Sequence, residues 1–173
     1  MRVKSILIIV ILLCILQGCS NDSEEISFEV YLGKEDLSNL KKYVISEEPL
    51  FTDRDIKAYD WKTHRIIFKK EFLNQKATQK NSDETKTYLG GSKLLNTNSR
   101  DRFIVYVNKE PIYEGFYMQS VLSSFYPVGA TMVDVEGGVQ ITFNQVEGSH
   151  VMDKRNDERI YNRLNEKKIL NKK

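Results

Sequence analysis

From residue 26 to residue 32 the chain alternates apolar and polar side chains, with Ile26, Phe28, Val30 and Leu32 in phase. A period of two marks a strand with one buried face. Gly33 reads as the break after it. Leu37, Leu40 and Val44 then recur at helical spacing, so an amphipathic helix is predicted over 34–44, closed before Pro49. Short strands are predicted at 55–59 and 64–68, on either side of the polar corner Asp60-Trp61-Lys62-Thr63. Helix-forming composition over 69–80 puts Phe72, Leu73 and Ala77 on one side. Residues 81–101 are polar, carry Gly90-Gly91 and hold few apolar positions, which predicts a long exposed loop.

Two hairpins follow. Phe103, Val105 and Val107 share a face, and Asn108-Lys109-Glu110-Pro111 turns the chain into 112–117. In the second, a three-residue loop Glu136-Gly137-Gly138 would pair Val135 with Val139 and Val133 with Ile141, keeping the valines and isoleucine together. The chain closes with a charged helix over 153–170, Ile160 and Leu164 on one face. Strands alternate with helices early and form hairpins late. The predicted class is α+β, a mixed or antiparallel sheet with helices mainly on one face and a C-terminal charged helix.

The start of the chain changes the picture. Arg2 and Lys4 precede an apolar run from Ile6 to Leu16, then Gln17, Gly18 and Cys19. The run is too short for a spanning helix, which needs about 20 apolar residues. A charged start, an apolar middle and a small residue before the cut are what a secretory signal requires. The segment Leu16-Gln17-Gly18-Cys19 resembles bacterial lipoprotein signals. That resemblance implies cleavage after residue 18 and a diacylglyceryl thioether on Cys19, with palmitate among the acyl chains. Two or more chains hold a protein stably at a bilayer where one does not. The organisation expected is a signal peptide at 1–18, a tether at 19–25 and a single domain at 26–173, on the extracytoplasmic face of the cell membrane. The lipid bilayer is then the first partner.

Charge and cysteine follow from this. The formal net charge of +2 equals the contribution of Arg2 and Lys4, so the mature chain is neutral. A nucleic-acid-binding domain carries a basic excess, so nucleic acid is not an expected partner. Cys14 leaves with the signal and Cys19 takes the lipid, so no thiol is left for a disulfide, a thiolate metal site or a nucleophile.

Other catalytic patterns are missing from the sequence. His64 and His150 are the two histidines, and with Asp60 or Asp153 they make no spaced metal-ligand set. No Gly-x-Ser-x-Gly elbow occurs, Gly148-Ser149-His150 being the nearest fragment. Neither glycine pair has phosphate-loop spacing. No enzyme activity, metal or cofactor is expected. The basic residues of the last helix interleave with Asp153, Asp157, Glu158 and Glu166, as on a solvated face.

Tyr113, Tyr117, Phe125 and Tyr126 crowd one stretch with Met118, Val121 and Leu122. Core packing explains such a run; so does a partner surface, because tyrosines bury much area at small entropic loss. The expected role is a non-catalytic interaction module held against an envelope protein, of which immunity or exclusion is one form. The alternative is a small-ligand carrier or sensor, with the 81–101 loop as a lid.

Two stretches also resemble a known arrangement. Residues 51–56 (Phe51-Thr52-Asp53-Arg54-Asp55-Ile56), then 66–68 and 72–78, and separately 103–113, follow the order seen in the head of the large exported domain of SecD, a protein-export subunit. Residues 102–127 are similar to lipoproteins of low-GC Gram-positive bacteria. The resemblance implies a fold and no catalytic residue, since a fold does not carry a function with it.

Overall fold

The structure is a computed structural model and describes residues 27–35, 43–81, 93–98, 101–118 and 127–172. Cys19, the tether and the signal lie outside the described residues, as do Phe125, Tyr126 and Gly90-Gly91.

The chain builds a mixed ten-stranded sheet. Its first half supplies β1 (Phe28–Glu35), β2 (Tyr43–Ile45), β3 (Phe51–Thr52), β4 (Ile56–Asp60) and β5 (Arg65–Phe68), then helix α1 (Lys70–Asn81). The second half supplies β6 (Arg102–Val107), β7 (Glu110–Met118), β8 (Gly129–Val135), β9 (Gly138–Asn144), helix α2 (Glu158–Glu166) and β10 (Leu170–Asn171). The order across the sheet is β10-β4-β5-β9-β8-β7-β6-β1-β2, with β3 also on β1. Pairs β7–β8 and β10–β4 are parallel and the rest antiparallel.

Register carries one apolar face from strand to strand. Val30 faces Val105, Phe103 faces Gly115, Tyr117 faces Met132 and Met132 faces Ile141. Val139 then faces Ile66, and Ile66 faces Tyr59. The sheet curls, because the rings of Phe28 and Tyr59 stand 6.4 Å apart although β5, β9, β8, β7 and β6 separate their strands. Phe72 of α1 and Ile160 and Leu164 of α2 join this one core. Each such side chain contributes about 1.5–3 kcal/mol on full burial. Gly115 is required where it stands: a Cβ there would meet the Ala130 carbonyl oxygen at 2.3 Å and the Phe103 ring at 2.5 Å.

Several expectations are corrected. Residues 34 and 35 extend β1 and 43–45 form β2, so neither described end of the expected 34–44 helix is helical. Val44, expected on its buried side, is 62% exposed. Gly33 breaks nothing; it lies within β1, and a Cβ on it would meet the Tyr43 ring at 2.9 Å. At the described ends, antiparallel pairing of β1 with β2, Gly33 against Ile45, decides the outcome, while Leu37 and Leu40 lie outside the described residues.

The 81–101 stretch is no simple exposed loop. Leu95 and Thr97 are buried, and the Asp134 carboxylate accepts the Lys93 and Leu94 amides at 2.8 and 3.1 Å. Asp101 is buried as well, its carboxylate accepting the Asn98 amide at 2.8 Å.

Both hairpins form with shorter turns than expected. Asn108 and Lys109 alone turn the first, at φ 53° and 62°, the doubly left-handed geometry that suits strand twist. The second turns on Glu136 and Gly137, so Val135 faces Gly138, and Val133 faces Gln140. Core positions on β8 are therefore Ala130 and Met132, out of phase with the valines expected there. Ala77 of α1 is exposed. The last helix is shorter than 153–170: the Asp157 carboxylate caps it by accepting the Arg159 amide, and Lys168 ends it at φ 58°.

Candidate functional site

Tyr113 and Tyr117 do not form an exposed patch. Both sit on β7, facing inward, with rings edge-on to Phe103 at 6.1 and 5.6 Å. Tyr117 is fully buried, which corrects its placement on a partner surface. Its parity is set by Met132 opposite it on β8. Tyr113 is partly buried and its hydroxyl wholly so; neither hydroxyl has a hydrogen-bond partner among the described residues. Burial raises both phenols well above 10.

A slip in register next to Tyr113 shapes its surroundings. Between Val105 and Tyr106 the β6–β7 pairing shifts by one residue, leaving Ile112 as the extra one. Ile112 and Tyr113 both join the core from that position. The chain leaving β9 then crosses in front of them as a strap, residues 145–157, before entering α2.

Between sheet and strap lies a cleft of about 300 Å³. Ile112, Tyr113, Glu114, Ala130 and Phe143 line it from the sheet. His150, Val151, Met152, Lys154 and Arg155 line it from the strap. Its volume is at the lower end of ligand pockets, roughly 300–1,000 Å³.

Arg155 fixes the strap. Its Nε and Nη2 donate to the two oxygens of Asp153 at 2.9 and 2.7 Å, and Nη1 donates to the Ile141 carbonyl at 2.8 Å. The guanidinium also lies 5.6 Å from the Phe143 ring centre. Hydrogen bonds from Arg155 hold Asp153 below the ordinary carboxylate range.

Arg159 repeats this arrangement one helical turn on. It grips Asp157 at 2.9 and 2.8 Å, and each aspartate also accepts the amide of its own arginine. Two Asp-x-Arg units, 153–155 and 157–159, carry the pattern in the sequence.

His64 stands behind the strap. Buried at the β4–β5 corner with φ 52°, it places Nδ1 3.1 Å from the Tyr59 hydroxyl. Desolvation, then the Arg155 charge, pulls it down to about 4, so it is neutral at pH 7. Trp61 packs edge-on to both His64 and Tyr161, at 5.8 and 5.2 Å. The expected partner Asp60 is engaged elsewhere, accepting the Thr63 amide and hydroxyl at 2.8 Å. His150 is exposed at the cleft. Among the described residues no three His, Cys, Asp or Glu converge to hold a metal.

Val128, Val146, Val151 and Met152 are exposed, Met152 at 74%, and Val151 and Met152 also line the cleft. They gather at one end of the β8–β9 hairpin. Gly129 pairs with Asn144, placing Val128 and Val146 at the same end, and a Cβ on Gly129 would touch Val151 at 3.6 Å.

A second cleft, about 450 Å³, is polar and acidic, with Glu29, Glu47, Glu48 and Asp55 around it. Asp55 serves the adjacent turn there, accepting the Thr52 amide at 2.7 Å.

The chain matches no family model, no curated protein and no solved structure.

Proposed function

We propose that the protein is a lipid-anchored extracytoplasmic module that holds an envelope protein and performs no catalysis. The observation that carries this reading is the exposed apolar group Val128, Val146, Val151 and Met152. Large side chains gathered in the open at one hairpin end are what a protein partner covers. Asp153 is paired with Arg155 and Asp157 with Arg159, so the apolar side chains are what this end offers a partner, with Lys154 the cation beside them. In this reading both helices cover the core-bearing face of the sheet, and the lipid on Cys19 presents the hairpin end to the envelope. Immunity or exclusion against an incoming protein is one form of the role.

Two measurements test it. Cells fed labelled palmitate incorporate it into the wild-type protein and not into Cys19→Ser; equal labelling of both overturns the anchor. A photo-crosslinker at Met152 or Val146 yields a distinct protein adduct that one at the exposed Lys62 does not. With normal membrane display, no adduct at Met152 or Val146, or the same adduct at Lys62, overturns the interaction role.

A second reading, a small-ligand carrier or sensor, is favoured by the cleft beneath the strap, whose walls are mostly apolar with a few polar groups among them.

A further inference from the structure

We propose that the cleft between β7–β9 and the strap takes a small molecule with an apolar body and one carboxylate. This rests on the carrier-or-sensor reading and names its ligand class.

The body follows from the walls. Ile112, Ala130, Phe143, Val151 and Met152 present hydrocarbon, ring and thioether surface, and about 300 Å³ admits one ring or a short chain.

The head group follows from the balance of charges. Glu114 is engaged by Arg102 at 3.0 Å and by the Tyr43 hydroxyl. Asp153 is engaged by Arg155 at 2.7 Å, and Asp157 by Arg159 at 2.8 Å. Lys154 lies on the cleft between these two aspartate–arginine units, and its ammonium makes no ion pair among the described residues. Arg159 also holds Glu110 at 3.0 Å, so what the cleft offers a ligand is the local charge of Lys154, the cation on its wall that no described carboxylate holds, and it suits one negative charge. His150 adds a donor at the same wall. An ammonium on the ligand would meet Lys154 as a like charge, and an alcohol would leave it unanswered.

The test uses the full chain in phosphatidylcholine nanodiscs, with ¹³C-methyl methionine, and reads the Met152 methyl resonance. The probes are 3-phenylpropionate, 3-phenylpropan-1-ol and 3-phenylpropylammonium, which share a body and differ in head charge. Saturable shifts are expected with the carboxylate, and binding about tenfold weaker with the alcohol and weaker still with the ammonium, the size of one hydrogen bond to a charged group. Lys154→Glu lies on an exposed residue, so the fold is retained, and it should invert the ranking in favour of the ammonium. Three probes of equal affinity, or a ranking unchanged by Lys154→Glu, would overturn the carboxylate assignment and leave a ligand cleft of another class. No shift with any probe would overturn the ligand-binding reading itself.

Discussion

The Arg163 guanidinium donates to the Asp53 carboxylate at 2.7 Å, across 110 residues of sequence, with both side chains at least 96% buried. The same carboxylate oxygen accepts the Phe28 amide at 3.2 Å, and the Asp53 amide donates to the Phe28 carbonyl at 2.9 Å. One ion pair thus ties α2 to the start of β1 and to the turn joining β3 and β4.

Breaking that pair from one side leaves a charge buried alone. Arg163→Met should destabilise the protein by about 3–5 kcal/mol. The double variant Arg163→Met/Asp53→Asn should cost less than the sum of the two single ones, because the carboxamide oxygen put in place of the carboxylate still accepts from Phe28 and no charge is stranded. Urea unfolding of the four proteins measures the coupling; additive losses would show that the two side chains act independently.

His64 predicts the pH dependence. Its folded value of about 4 lies below the ordinary 6.5, so between these values the unfolded chain binds the extra proton. Stability therefore rises with pH through this window and falls as pH drops from 6.5 toward 4, by up to about 3 kcal/mol. His64→Gln should flatten the slope of unfolding free energy against pH in that window. The Asp153 carboxylate, held low by Arg155, loses its contribution only as pH falls further.

Adjacent glycines at the second turn should respond oppositely. Gly137 has φ 70° and open space around its missing Cβ, so Gly137→Asn, which tolerates that conformation, should shift stability by less than ~1 kcal/mol. A Cβ on Gly138 would stand 1.8 Å from the Ile66 carbonyl oxygen, so Gly138→Ala must push β9 away from β5. A loss of about 1–3 kcal/mol is expected in thermal unfolding, the range for overpacking against atoms that cannot swing aside.

Leu95 reports on how residues 93–98 dock. It is 1% exposed and belongs to the main core. Leu95→Ala should cost about 2–5 kcal/mol. A loss under ~0.5 kcal/mol, the scale of surface substitutions, would return this segment to the exposed loop that its composition suggests.

Sequence alone determined the elements whose signal is local. Alternation marked 103–107 and the strand after its turn, short strand patterns at 55–59 and 64–68 fell on Ile56–Asp60 and Arg65–Phe68, and helix-forming composition at 69–80 fell on Lys70–Asn81. The helical spacing of Ile160 and Leu164 placed both in the core. These patterns repeat within a few residues, so they survive without knowledge of any partner. Tertiary structure decided the rest. Whether 43–45 pairs as a strand depends on β1, and which parity of β8 faces the core depends on a turn one residue shorter than alternation favoured. Leu95 is buried because Asp134, some 40 residues on, holds its neighbours' amides. The cleft followed the same rule: Tyr113, Phe143, Met152 and Lys154 come from two strands and a strap. Their convergence is a property of the curled sheet and of the Arg155 anchor, and neither is written in the spacing of any one segment.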